Sequence, residues 1–176
     1  MENIVIKKVL PDEVIALQKI GRQTFKETFA AGNTEENLTK YLEEGFSSEK
    51  LLGELTDQNS EFHFALYEDV VIGYLKLNFG DSQTELKDDK SAEIERIYVL
   101  QEYQGKKVGQ LLYEKALQIA NAYKADYIWL GVWEENPRAI QFYKKNGFTE
   151  FDKHIFKLGE DEQTDIMMKL SLNNYK

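Results

Sequence analysis

The chain has 176 residues, of which 42% are hydrophobic and 30% charged, with a formal net charge of −9. That is the size and balance of one globular domain, 1–176, with enough apolar residues for a substantial core. The negative balance argues against a nucleic-acid binder, whose surface must be basic, and no apolar run approaches the roughly 18 residues of a membrane span.

Residues 3–9 read as a first strand. Asp12 is placed to cap a helix running to about Phe29, with Val14, Leu17, Phe25 and Phe29 near one face. A second helix is predicted from Glu35 to Glu44, where Asn33 and Glu36 resemble a capping pair and Leu38, Tyr41 and Leu42 point inward. A third spans about Ser48 to Thr56. The period then changes: FHFALY (62–67) and VVIGYLKLNF (70–79) are β-rich, and Glu68-Asp69 between them reads as a hairpin turn. The polar stretch 81–91 reads as a mobile loop. AEIERIYV (92–99) is a strand with charges embedded in it.

After QEYQGKKVG, a helix from Val108 to Tyr123 carries apolar residues at 108, 111, 112, 116, 119 and 120, a good 3.6-residue period. YIWLGVW (127–133) is nearly all apolar, as expected of a strand covered on both faces. Asn136 caps a short helix with Pro137 in its first turn, and Asn146-Gly147 ends it. The tail from Phe148 to Leu172 reads as two antiparallel strands joined by the acidic turn 158–163. The element order describes a mixed α/β (α+β) sheet rather than a repeated dinucleotide-binding unit.

There is no cysteine, which excludes disulfides and thiolate metal sites and fits a reducing cytoplasm. His63 and His154 are too few for a multi-histidine centre and no calcium-loop pattern is present, so no metal is expected. The opening MENIVIKKVLPDEV lacks the apolar core of a secretory signal. An acidic surface would attract amines, or serve solubility alone.

QGKKVG (104–109) sits between a strand and a helix. The first-turn amides of that helix have no partners within it, and its dipole places partial positive charge there. Gly105 and Gly109 would let a diphosphate approach the backbone, although two glycines and two lysines are also compatible with a plain loop. The loop is neither a P-loop nor a G-x-G-x-x-G turn.

The stretch IERIYVLQEYQGKKVGQLLYEKAL, followed by YIWLGVWEENPRAIQFYKKNGF, resembles the GNAT superfamily of CoA-dependent N-acyltransferases. Gln104 and Gly109 match the family's [RQ]-x-x-G-x-[GA], with Lys107 in place of the middle glycine. Asn136, Ala139, Tyr143, Gly147 and Phe148 match its N-x-x-A-x-x-x-Y-x-x-x-G-F block in full. The resemblance implies a mostly antiparallel sheet of about seven strands flanked by helices, splayed between the fourth and fifth strands with acetyl-CoA wedged in the gap. Main-chain groups of Ile97, Tyr98 and Val99 would then pair with the pantetheine. Gln104 and the amides of Gly105, Lys106, Lys107, Val108, Gly109 and Gln110 would hold the pyrophosphate, while Asn136 would reach the pantetheine and Ala139 belongs to the same cofactor-binding block. Lys144 or Lys145 would add positive charge.

Acetyl transfer to an amine needs a proton removed from an ammonium of pKa about 10 and one given to the departing thiolate. Tyr143 stands where the family keeps its proton donor. Glu95, where several polyamine-acetylating members carry a glutamate, is the candidate base, with Glu93 beside it by period-two alternation. Residues 24–51 and 154–170 are similar to PaiA-like spermine/spermidine acetyltransferases. That similarity suggests an acceptor site with Phe25, Phe29 and Tyr41 flanking an alkyl chain and Glu93, His154 and Asp165 offering polar contacts. The expected partner is a small amine, in particular a polyamine. Acetylation of a protein N-terminus or lysine, and a non-catalytic acetyl-CoA sensor, are the alternatives. Edge strands in the tail would suit a homodimer.

Overall fold

A computed structural model describes residues 3–172. Strand β1 (Ile4–Lys8) leads through a short 3-10 turn, Pro11–Glu13, into helix α1 (Val14–Phe29). Asp12, expected as a cap, lies inside that turn. Glu13 does the local work instead, accepting the Leu10 N–H at 3.0 Å and pairing with Lys7. Helix α2 (Glu35–Gly45) is capped by Thr34, whose hydroxyl accepts the Asn37 N–H at 3.1 Å. Asn33, the predicted cap, donates back to the Phe29 carbonyl. Ser47 caps α3 (Ser48–Leu55).

Strands β2 (Ser60–Tyr67) and β3 (Val70–Phe79) form the predicted hairpin. Its two turn residues, Glu68 and Asp69, have φ of 49° and 66°, the backbone that matches strand twist in a two-residue turn. Then come β4 (Ser91–Val99), α4 (Val108–Ala122), β5 (Tyr127–Trp133), α5 (Pro137–Lys145), β6 (Thr149–Leu158) and β7 (Asp161–Ser171). The seven strands form one sheet in the order β1-β2-β3-β4-β5-β7-β6, with β4 and β5 parallel and the other neighbours antiparallel. Among the described residues, no helix is long and apolar enough to cross a membrane.

Each face of the sheet carries a core. On one, Ile72, Ile94, Ile128 and Leu130 pack with Val108, Leu112 and Ala116 of α4 and Tyr143 of α5. On the other, Phe62, Phe64 and Tyr74 pack with Leu17, Phe25 and Phe29 of α1, Leu38 of α2 and Leu51 of α3. This double cover explains why β5 is nearly all apolar.

Two departures from the sequence-based reading shape the site. The 81–91 segment is tied down rather than loose. Buried Gln83 accepts from the Trp129 indole and the Ser91 hydroxyl, both at 2.7 Å, and its amide donates to the Gly80 and Asp88 carbonyls. The predicted turn at 158–163 is also shorter: Leu158 already pairs with Asp161, so Gly159 and Glu160 make the turn and β7 begins at once.

Candidate active site

The register of β4 against β3 slips at one point. Lys76 pairs with Arg96 and Leu77 with Ile94, which leaves Glu95 as the extra residue of a β-bulge. Strict alternation would put Glu93, Glu95, Ile97 and Val99 on one face. The bulge instead turns Ile97 and Val99 to the α4 core, and the Glu95 and Arg96 side chains both reach the opposite side. Bulges bend a strand and increase its twist. Here the bend coincides with a parting of strands: β4 and β5 pair only from Ser91↔Tyr127 to Ile94↔Leu130. Beyond that, residues 96–99 stay with β3 while Gly131, Val132 and Trp133 stay with β7. The main-chain edge of residues 95–99 therefore faces a fork.

At the mouth of the fork lies the 104–109 loop. Gly105 has φ of 80°, and Lys107 adopts the left-handed conformation, φ 66° and ψ 14°, as it enters α4. The left-handed region costs a residue with a Cβ about 1–2 kcal/mol. The first bond of the helix runs from the Leu111 N–H to the Lys107 carbonyl, so the amides of Val108, Gly109 and Gln110 have no partner within the helix. Val108 itself is buried and anchors the turn, and Gly109 lies against Val99.

Gln104 donates to the Val99 carbonyl at 3.3 Å and accepts from Arg138 of α5 at 2.9 Å. Arg138, which sequence reasoning passed over, is the cation set against this loop. Lys106 lies over the Tyr103 ring, and Lys145 stands exposed with Lys144 on the last turn of α5, where both complement the carbonyl end of the helix.

On the α1–α3 face the fork is walled by aromatics. Phe25 stacks on Tyr41 at 4.5 Å and touches Phe29 at 4.4 Å; Phe29 meets Trp133 of β5 at 4.9 Å. Phe25 and Phe29 are buried, whereas Tyr41 and Trp133 are only partly so. The two phenylalanines thus form the back of the wall, and Tyr41, Trp133 and Tyr98 offer its surface. Trp133 was missed because a tryptophan at the end of an apolar strand reads as core.

The acidic residues divide sharply. Glu93 is buried; Thr84 donates to both its oxygens, at 2.8 and 2.6 Å, and Asn78 donates at 3.0 Å. Its carboxylate fastens the 81–91 loop through these bonds. Glu95 Oε1 takes Lys76 Nζ and Asn78 Nδ2, both at 2.8 Å, and its Oε2 pairs with Arg96 at 3.1 Å. Glu54 of α3 closes the network on Lys76 at 2.7 Å and Arg96 at 3.3 Å. Burial pushes the Glu95 carboxyl up, but Arg96, Lys76 and the hydrogen bonds outweigh it and hold it at about 2. A carboxylate held so far down stays ionised in this network and is the weaker proton acceptor for it.

Asp165 is the reverse case. It sits on β7 opposite Trp133 of β5 and His154 of β6. Burial raises its carboxyl, His154 lowers it and Glu85 raises it, leaving it pushed up to about 6. His154 Nδ1 pairs with Glu85 of the tethered loop.

An acetyltransferase (GNAT) family model matches residues 22–148. The chain belongs to the GNAT acetyltransferase family. It is 38% identical over 172 residues to an uncharacterised N-acetyltransferase of Lactobacillus delbrueckii subsp. lactis, covering 98% of this chain and 99% of that one. It is 29% identical over 171 residues to the spermidine N(1)-acetyltransferase of Thermoplasma acidophilum, covering 95% and 96%. The structure of the PaiA N-acetyltransferase from T. acidophilum in complex with coenzyme A superposes with a TM-score of 0.79 at 27% identity, over 96% of this chain and 99% of that one. The seven-stranded mixed sheet with its forked parallel pair is the GNAT fold, and the protein is an N-acetyltransferase.

In this GNAT chain the second motif block does structural work on its own account. Asn136 Oδ1 accepts the Ala139 N–H at 3.2 Å, capping α5 and leaving its amide NH2 to donate elsewhere. Tyr143 is buried against Phe142 and Phe148, at 5.3 and 5.5 Å between ring centres, and that burial raises its phenol far above the ordinary value. It holds its proton throughout the working pH range.

Proposed function

We propose that this enzyme transfers the acetyl group of acetyl-CoA to a primary amine of a small polycation, a polyamine such as spermidine or spermine, by direct attack within a ternary complex. The observation that carries the reading is the fork. One side supplies an open strand edge and a left-handed loop leading into unpartnered amides, and the other an aromatic wall with a carboxylate beside it.

The residues fit acetyl-CoA. The edge of Ile97–Val99 would pair with the amide-bearing pantetheine as an added strand, and Asn136 would donate to one of its carbonyls. Amides from Gly105 to Gln110 would hold the diphosphate, with Arg138 adding a charge-assisted bond. Acetyl-CoA supplies the activated acyl group. Tyr143, protonated and packed against Phe142 and Phe148, would deliver a proton to the departing sulfur. Tyr41, Tyr98 and Trp133 would flank the methylene segments of the acceptor, with the negative end of the site drawing its ammonium groups. The spermidine acetyltransferase of T. acidophilum, matched over almost its full length, supports the same acceptor class.

The test is thiol release from acetyl-CoA over a panel containing spermidine, spermine, a diamine, a simple monoamine and a peptide with a free N-terminus. Faster release with the polyamines, lost in Tyr143→Phe with acetyl-CoA binding retained, is the expected result. Peptide as the best acceptor would move the assignment to protein acetylation. Binding of acetyl-CoA without release for any amine would make the chain a sensor.

A further inference from the structure

We propose that Asp165 is the group that takes the proton from the attacking amine, with His154 and Glu85 behind it tuning its charge. The inference rests on the acetyltransferase reading above and names a residue for its first proton transfer.

The geometry begins at Gly131. It is exposed, although its neighbours on β5, Leu130 and Val132, are only 2% and 5% exposed. It is also the first β5 residue past the last β4–β5 pair, so the opening in the sheet lies directly beside it. A Cβ at Gly131 would come within 3.2 Å of Asp165 Oδ2. The carboxylate therefore projects over a position that carries no side chain, at the point where the strands part. Any larger residue at 131 would push against it.

The charged and titratable surroundings are specific. His154 faces Asp165 from β6, and Glu85 reaches His154 from the 81–91 loop. From the other side stand Tyr41 of α2 and Tyr98 of β4; burial raises both phenols, and the charge of Asp165 adds to the rise in each. Among the described residues, His154 is the basic side chain that lowers Asp165, against the lysine and arginine that claim Glu95. A carboxyl near 6 is ionised at neutral pH, yet basic enough to accept a proton from the arriving ammonium, a task suited to a pKa near the working pH.

The acceptor arrives as an ammonium, and Asp165 removes one proton, leaving a neutral amine. The nitrogen lone pair forms the C–N bond to the acetyl carbon, and the C–S bond breaks with its electron pair going to sulfur. The second proton leaving nitrogen replaces the one that Tyr143 gives to that sulfur. The proton on Asp165 then passes to water, so one amide, one thiol and one solvent proton result.

The experiment compares kcat/KM against pH for wild type, Asp165→Asn, Glu95→Gln and His154→Gln, using spermidine or the best amine of the panel. Wild type should show an acidic limb with a midpoint near 6. Asp165→Asn should lose that limb and at least tenfold in rate. Glu95→Gln should keep it, and His154→Gln should move it to higher pH by removing the imidazole that lowers Asp165. A readout independent of turnover is denaturation: Asp165→Asn should be more stable than wild type at pH 8 and not at pH 4, which also reports whether the variant folds. An acidic limb that survives in Asp165→Asn, or disappears in Glu95→Gln, overturns the assignment while leaving the acetyltransferase reading intact. A loss in Asp165→Asn confined to KM makes Asp165 an anchor for substrate and likewise overturns it. No turnover in wild type with any amine overturns both.

Discussion

The two sides of the fork carry carboxylates in opposite electrostatic conditions. On the β4 side, Glu95 lies in a cluster of two acids and two bases with no net charge, Glu54, Lys76, Glu95 and Arg96, beneath α1 and α3. On the β7 side, Asp165 is likewise withdrawn from water but meets one histidine whose partner, Glu85, is itself acidic. Burial pushes both carboxyls up, and the difference is what opposes it. Where cations are close, the acid is held ionised in a network that ties β3, β4 and α3 together. Where they are few, it keeps a proton affinity that chemistry can use.

Breaking the β4 cluster should have the largest effect. Glu95→Gln leaves Lys76 and Arg96 sharing Glu54 alone, and removing one member of a buried ion cluster costs about 3 kcal/mol or more. Because the Glu95 carboxyl is lower folded than its ordinary 4.5, its contribution is complete above that value and is lost as pH falls toward 2. Denaturant titrations at pH 7 and pH 3 check this: the gap between wild type and variant should narrow in acid.

The β7 carboxylate should behave with the opposite sign. Its folded carboxyl lies near 6, above the ordinary 3.8, so the folded chain binds that proton more tightly and ionisation costs stability as pH rises through 6. Asp165→Asn should therefore stabilise the protein by about 2 kcal/mol at pH 8, allowing for partial exposure, and by nothing once pH is below 4. A gain in stability with a loss of rate is the expected exchange at an active site.

Away from both carboxylates, Lys107→Gly should add about 1 kcal/mol by relieving a left-handed residue. Thermal unfolding reads the gain, and the pH dependence of the two sides should be untouched. Arg138→Ala should weaken acetyl-CoA binding by roughly threefold, as an exposed charge-assisted contact would, measured by calorimetry.

Much of this was legible in the sequence. Periodicity placed the helices and strands, and the spacing of Asn136, Ala139 and Tyr143 identified the α5 block. Local chemistry misled at the helix starts, where Thr34 rather than Asn33 took the cap because its hydroxyl reaches the Asn37 amide. The 81–91 segment looked loose because its anchors bind partners outside it: Gln83 meets Trp129, 46 residues away, and Thr84 meets Glu93. The roles of Glu93 and Glu95 depended on partners from β3, α3 and the loop, which no local pattern reveals. One signal was available: Ile94 and Ile97 lie three apart in a strand, a spacing that alternation forbids and a bulge explains. Reading it would have shown that Glu95 and Arg96 share a face, and hence that they neutralise one another.

The most direct measurement is a carboxyl-carbon NMR titration of the ligand-free protein, following Glu95 and Asp165 together. The account predicts that Asp165 titrates with a midpoint near 6 and that Glu95 remains ionised until far below pH 4, approaching 2. Midpoints that coincide near 4, or a Glu95 that titrates above Asp165, would contradict the division of roles between the two sides of the fork.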